Sequence, residues 1–371
     1  MTSGDIAAAA TFYGSGERFA TLDEIVDAAR ETLPADVWDF LAGGAGDEST
    51  LRANREAFGR WTFVPRVMSG ADVPSTRTSF LGVDLSMPVL TAPFGADALF
   101  HPEGQRAVAR ANEAEGVASI VPEAGSHSLE EVRAAAPAAA MIAQLHPMGP
   151  EDNFRAMIAR AAECGYHALC VTVDCPTGGW RERNLRNRFA PDPAIITGNY
   201  RAAGSPEPQA VFGQLFDRTE PVWSWDRLAG ALADSPLPWL AKGILTGADA
   251  ESAVAAGAAG ILVSNHGGRQ LDGAPAALDQ LPEVVRAVAG RARVALDSGI
   301  RRGADVAKAL ALGADVVVIG RLAAHGLAAA GEAGVRRVHQ LIRAELGTVL
   351  TLLGRGGVRE LDESAVRRSP S

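Results

Sequence analysis

The segment Gly260-Ile261-Leu262-Val263-Ser264-Asn265-His266-Gly267-Gly268-Arg269-Gln270-Leu271-Asp272 joins a short apolar run to a polar turn built on two glycines. Runs of the same kind, short and rich in β-formers, begin near Pro88, Val117, Ala139, Ala168, Leu237, Val294 and Val316. Helical stretches stand between them, among them 105–115, 150–164, 249–256 and 304–312. Strands that alternate with helices imply a parallel sheet with helical crossovers. Counting the opening segment, the chain holds eight such units, which fit a closed barrel better than an open sheet. The fold class expected is therefore α/β, a (β/α)8 TIM barrel. A residue that follows a strand in that fold stands at the C-terminal face, where barrel enzymes place their reacting groups. The same segment thus places His266 and Arg269 at a functional mouth.

The surroundings of the barrel are legible in outline. Residues 1–20 carry Gly, Ser and Ala without periodicity and read as a flexible tail. From Thr21, a suitable N-cap, the residues Leu22, Ile25, Val26, Ala29 and Leu33 form one helical apolar stripe. A second helix is expected over 35–41, stopped by Gly43-Gly44. Between Phe189 and Trp239 the strand spacing doubles, and the intervening chain is rich in Pro, Gly and polar residues. Such a long insertion after the fourth strand, about 190–236, hangs over the C-terminal face and reads as a mobile lid. The barrel with its N-terminal helices is expected over 21–361. The chain beyond Arg355 is polar and expected to be extended, with 362–371 as a C-terminal tail.

Composition narrows the function. Of 371 residues 47% are hydrophobic, enough for a large core, and the formal charge is 35 − 44 = −9. That acidity argues against a nucleic-acid partner, which needs a basic face to displace counterions. Cys164, Cys170 and Cys175 are odd in number and lack the paired spacing of a zinc site, so buried free thiols and no metal are expected. No apolar stretch is long enough to span a bilayer, and no basic region followed by an apolar run opens the chain. A soluble cytoplasmic protein is the expectation.

The residues after the strands carry the chemistry. A histidine supplies a base near neutral pH, and an arginine three residues later supplies a planar fork for a carboxylate. A second polar stretch, Asp297-Ser298-Gly299-Ile300-Arg301-Arg302-Gly303, and the strand end Gly320-Arg321 follow the seventh and eighth strands. That corner commonly binds phosphate, and the backbone N–H groups of Gly299, Arg301, Gly320 and Arg321 are expected to cradle one.

Residues 264–272 resemble the signature of the FMN-dependent α-hydroxy-acid oxidase and dehydrogenase family, which includes glycolate oxidase and bacterial relatives acting on lactate and mandelate. The likeness extends from Thr21 to about Leu361. It includes Ala45-Gly46-Asp47-Glu48-Ser49-Thr50-Leu51, Asn54-Arg55, His101-Pro102-Glu103-Gly104, Thr172-Val173-Asp174, Arg181-Glu182 and Lys242-Gly243. It implies FMN as cofactor and a small-molecule 2-hydroxy acid as substrate, oxidised to a 2-oxo acid. Dioxygen is the implied acceptor, and the implied assembly is a homotetramer or octamer. By position, Gln144, Thr172, Lys242 and Ser264 would contact the flavin ring with the backbone at Pro93, Phe94 and Gly95, and Asp297 would belong to the cofactor site. Lys242 would also offset negative charge on the reduced ring. His266 would be the base, Asp174 its partner, and Arg181 and Arg269 the carboxylate clamp. Both a carbanion route and a hydride route are compatible with these residues.

Several positions around the substrate depart from that family. Phe40 and His146 stand where tyrosines are usual, and Ala124 where a tryptophan is usual. The loss of two phenols removes two hydrogen bonds, each worth roughly 0.5–1.5 kcal/mol. His146 reads either as a replacement donor with a catalytic role or as a space filler beside Pro147. Ala124 opens the substrate cavity and Phe94 partly refills it. Glu123 reads as an acid at the mouth or as a solvated rim residue, with the rim preferred. Gly95, often alanine, is expected to leave room beside the flavin. Together these changes point to a larger, aromatic or biosynthetic-pathway 2-hydroxy acid. A flavin monooxygenase that decarboxylates its substrate, a reduced-FMN barrel isomerase and an inactive flavin-binding scaffold are the other readings.

Overall fold

The computed structural model describes residues 17–203, 212–213 and 221–369. Thr21 caps α1 (Leu22–Thr32), its side chain accepting from the Glu24 amide, and Leu22, Ile25 and Ala29 of the expected stripe are buried. The loose tail stops short of residue 20, because Phe19 is buried and its carbonyl accepts from Arg337 Nε at 2.7 Å. The rest of that tail, 1–16, lies outside the described residues. The second helix, α2 (Ala35–Ala42), ends at Gly43 as expected, and α3 (Ser49–Gly59) follows. A short strand β1 (Trp61–Phe63) and a hairpin, β2 (Thr78–Phe80) with β3 (Val83–Leu85), precede the barrel.

Eight parallel strands close that barrel in the order β10-β11-β4-β5-β6-β7-β8-β9. They are β4 (Val89–Thr91), β5 (Ala118–Pro122), β6 (Met141–Leu145), β7 (Ala168–Thr172), β8 (Trp239–Ile244), β9 (Gly260–Val263), β10 (Arg293–Leu296) and β11 (Val316–Ile319). The outer helices include α4 (Gly104–Glu115), α5 (Leu129–Ala135) and α6 (Glu151–Glu163). After β7 come α7 (Glu182–Asn187), α8 (Gly198–Ala202) and α9 (Trp225–Leu232). The remaining units carry α10 (Gly247–Ala255), α11 (Ala277–Val288), α12 (Gly303–Ala311) and α13 (Arg321–Leu352), which packs on α1 and α4.

Side chains alternate along a strand, so one parity of each strand points to the barrel axis. Leu90, Ile120, Ile142, Cys170, Leu240, Leu262, Ala295 and Val318 fill that axis, and Phe80, Val83 and Leu85 of the hairpin pack with them. Two residues further along the same parity stand Gln144, Thr172, Lys242 and Asp297, which line a cavity at the mouth. The apolar plug therefore gives way to a polar layer at the C-terminal ends.

Three expectations need correction. The C-terminal segment is not an extended tail: β12 (Val366–Arg368) pairs antiparallel with β1, burying Ala365 and Val366. The insertion is shorter than expected, because Trp225–Leu232 is an outer helix capped by Ser224, with Leu228, Ala231 and Leu232 buried. Its earlier part is anchored rather than free. Asn199 in α8 accepts from the Leu129 amide at 2.9 Å and donates to the Glu123 carbonyl at 2.8 Å. The lid reading for 204–211 and 214–220 lies outside the described residues. Of the three free thiols, Cys170 and Cys175 are buried but Cys164 is partly exposed. Among the described residues no helix is long and apolar enough to cross a membrane.

Candidate active site

A cavity of about 290 Å³ opens at the C-terminal mouth of the barrel. Of the residues singled out from sequence, Phe40, Pro93, Phe94, Gly95, Ala124, Gln144, His146, Thr172, Arg181, Lys242, His266, Arg269, Asp297, Gly299, Arg301, Gly320 and Arg321 line it. Asp174 and Ser264 do not line it and act from behind. The Ser264 hydroxyl accepts from the His266 amide at 3.0 Å. His266 itself is held in the left-handed region at φ 59°, a conformation a non-glycine residue keeps only when its neighbours fix it. Ser298 contributes by accepting from the Gly267 amide at 3.0 Å.

His266 Nδ1 lies 3.2 Å from Asp174 Oδ1 and 3.3 Å from Lys242 Nζ. With Nδ1–H donated to the carboxylate, the Nε2 lone pair is the free base. Burial and the adjacent Lys242 ammonium depress the His266 pKa to about 4, outweighing Asp174. Burial pushes the Asp174 carboxyl up, but Lys242 and His266 prevail and hold it down at about 2. Burial likewise opposes the charge of Lys242, and Asp174 and Asp297 outweigh it. The result is a neutral imidazole beside an ionised carboxylate and ammonium.

Arg181, Arg269 and Arg321 meet no carboxylate among the described residues. Arg269 donates to the carbonyls of Phe40 and Gly43, and its guanidinium lies 4.9 Å from the Phe40 ring centroid, with Arg181 at 5.9 Å. Arg321 donates to the carbonyls of Leu41, Gly267 and Gly43. Burial lowers the pKa of all three; repulsion from Arg181 and Arg321 adds to it at Arg269, and repulsion from Arg301 and Arg181 at Arg321, which falls to about 10. Phe40 thus does more than lack a hydroxyl: its face offsets the charge of two guanidiniums. Glu48 and Asp297 offset part of the Arg321 charge, whereas Arg181 and Arg269 have no carboxylate partner among the described residues and form a site for an anion.

On the opposite wall His146 faces Glu123, with Nδ1 2.9 Å from Oε2. Glu123 is only 2% exposed, so the expected solvated rim residue is a buried partner. Gly95 also differs from expectation. A Cβ there would meet the Ala124 carbonyl oxygen at 2.5 Å, so the glycine admits the neighbouring backbone instead of leaving space for a ligand.

The far end of the cavity suits an anionic group. Gly320 caps α13, whose first residues Arg321 and Leu322 line the wall, and Arg301 lies opposite. Gly299 adopts φ +98°, and a Cβ would meet the Asn54 carbonyl oxygen at 2.6 Å, so glycine alone fits that turn. The Arg301 amide does not join the cradle, because it donates to Asp305 Oδ2 at 2.9 Å. Two further lining residues carried no earlier role. Asn54 exchanges 2.8 Å hydrogen bonds with Asn265, tying α3 to the His266 turn. His325 stacks on Trp38 at 5.4 Å with both ring nitrogens unpartnered. A helix start with arginine at one end, and Gln144, Thr172 and Lys242 at the other, match a long planar ligand that carries a phosphate.

Fold and site together define a barrel enzyme that holds such a cofactor beside a base and a cationic anchor. The family model described as FMN-dependent dehydrogenase matches residues 29–368. L-lactate oxidase of Nostoc sp. is 41% identical over 353 residues, covering 92% of this chain and 96% of that protein. 2-Hydroxyacid oxidase 1 of Homo sapiens is 37% identical over 361 residues, covering 95% and 98%. A crystal structure of mandelate oxidase matches with a TM-score of 0.85 at 38% identity, over 94% of this chain and 98% of that one. The chain belongs to the FMN-dependent dehydrogenase family, and FMN is its cofactor.

Proposed function

We propose that this flavoenzyme oxidises a 2-hydroxy acid with a bulky, aromatic side chain to the 2-oxo acid. The observation that carries the reading is the pair of partly buried guanidiniums, Arg181 and Arg269, without a carboxylate partner among the described residues and beside a neutral His266. A 2-hydroxy carboxylate satisfies both halves: its carboxylate takes Arg181 and Arg269, which brings its carbinol to the base. His266 Nε2 then accepts the proton, and Asp174 steadies the imidazolium through Nδ1. His146, on the opposite wall, is placed to donate to a substrate oxygen. FMN, which Gln144, Thr172 and Lys242 would hold at its ring end, would supply the two-electron acceptor when bound, with dioxygen as the final oxidant. Phe40, Phe94, Phe100, Ile196 and the small Ala124 line the substrate end and favour an apolar side chain over a hydrogen atom or methyl. The exposed Val67, Met68 and Val73 offer apolar surface for assembly into a homotetramer or octamer.

The Ala124 carbonyl occupies the space beside Gly95, so the glycine gives no support to a decarboxylating monooxygenase. Product analysis in air tests the choice. Mandelate-like acids are expected to yield the 2-oxo acid and hydrogen peroxide in equal amounts, whereas a shortened acid with carbon dioxide would overturn the proposal.

A further inference from the structure

Glu123 has no role in the chemistry derived above, yet it is among the most enclosed charges of the molecule. It follows β5, and its two carboxylate oxygens serve different elements. Oε2 accepts from the His146 amide at 2.7 Å and faces the His146 ring at 2.9 Å. Oε1 accepts from the hydroxyl of Tyr200, which lies in α8 of the insertion. Tyr200 in turn accepts from Asn153 Nδ2 at 3.2 Å. The Phe212 ring stands edge-on to both His146 and Tyr200, shielding the chain of contacts.

We propose that Glu123 is a positioning residue which, clamped between Tyr200 and His146, holds the His146 ring as a fixed charged donor toward the substrate. The idea rests on the reading of this cavity as a 2-hydroxy-acid site and adds to it a link between insertion and substrate. With Nδ1 taken by Glu123, Nε2 is the remaining ring nitrogen, and His146 lines the cavity. The other neighbours of the ring are the Gln144 amide, 3.3 Å away, and the Cys175 thiol. Burial alone would strip His146 of its proton, but Cys175 and Glu123 outweigh it and raise the pKa to about 9. The two imidazoles of the cavity therefore stand in opposite states at neutral pH. His266 is free to take a proton, and His146 is charged and able to donate a hydrogen bond. A charge-assisted donor is roughly twice as strong as a neutral one, which suits a substrate oxygen that gains negative character during oxidation.

The test is a set of FMN-loaded variants followed by flavin reduction across pH. Glu123→Gln keeps the shape but removes the charge. It is expected to lower the reduction rate about tenfold or more while leaving FMN affinity unchanged. It should also move the alkaline limb of activity down from about 9, since donation is present below the His146 pKa and lost above it. Tyr200→Phe, which removes one hydroxyl, should shift both quantities the same way by less. Glu123→Gln combined with His146→Phe should match His146→Phe alone within about twofold, because Glu123 acts through the ring. An unmoved alkaline limb, or additive losses in the double variant, would overturn the proposal. Nitrogen-15 imidazole NMR of the holoprotein reads the His146 charge without turnover. A neutral ring at pH 7 would sink the proposal even if every 2-hydroxy acid proved inert, an outcome that would instead end the reading of the cavity.

Discussion

His266 gathers the largest share of the account into one side chain. It stands on a left-handed turn, its Nδ1 edge is shared by Asp174 and Lys242, and its Nε2 edge is free. Because its pKa is depressed to about 4, the imidazole is neutral above that value, and the proposed base is lost when pH falls through it. kcat/KM is therefore expected to climb with pH around 4 and to be flat toward neutrality on the acid side. His266→Asn should lower flavin reduction by about 10²–10⁴-fold with FMN affinity kept. An acid limb near 6.5, the ordinary histidine value, would contradict the proposed pairing. At this scale one segment brought the proposed base and the arginine to the cavity together, since both follow the same strand. Glu123 was misread because a carboxylate at a strand end looks solvated until its cover is known. That cover, Tyr200, lies 77 residues further along the chain.

Among the elements, the eight barrel strands were legible because helices cover one face and the plugged axis the other, which leaves short, apolar runs. The helix over 225–232 was hidden by the Pro- and Gly-rich insertion before it, although Ser224 marks its start and Leu228, Ala231 and Leu232 its buried face. β12 was hidden for another reason: Val366-Arg367-Arg368 carries a single apolar residue, and two exposed arginines read as tail. Its pairing with β1 encloses Ala365 and Val366 beside the start of the barrel. Deleting residues 364–371 is expected to lower the melting temperature by roughly 5 °C, the effect of a few kcal/mol in a chain of this size. An unchanged melting temperature would show that the strand adds nothing to the fold.

For the molecule as a whole, the formal charge of −9 conceals a cationic interior. Lys242 sits buried and Arg181, Arg269 and Arg321 partly buried at one mouth, and a low-dielectric wall concentrates their field on an entering carboxylate. Net charge therefore argues against a nucleic-acid partner but says nothing of the site, which depends on where a few cations fold. The barrel brings them there from strand β8 and from the segments that follow β7, β9 and β11, beside His266 and a cavity end lined by the start of α13. The most direct measurement is anaerobic mixing of the FMN-loaded protein with a series of 2-hydroxy acids while the flavin absorbance is followed. Rapid bleaching by mandelate-like acids, slower bleaching by glycolate and none in the His266→Asn variant is the outcome expected. Fast bleaching by glycolate with mandelates inert would contradict the proposed substrate, and no bleaching by any acid would contradict the account itself.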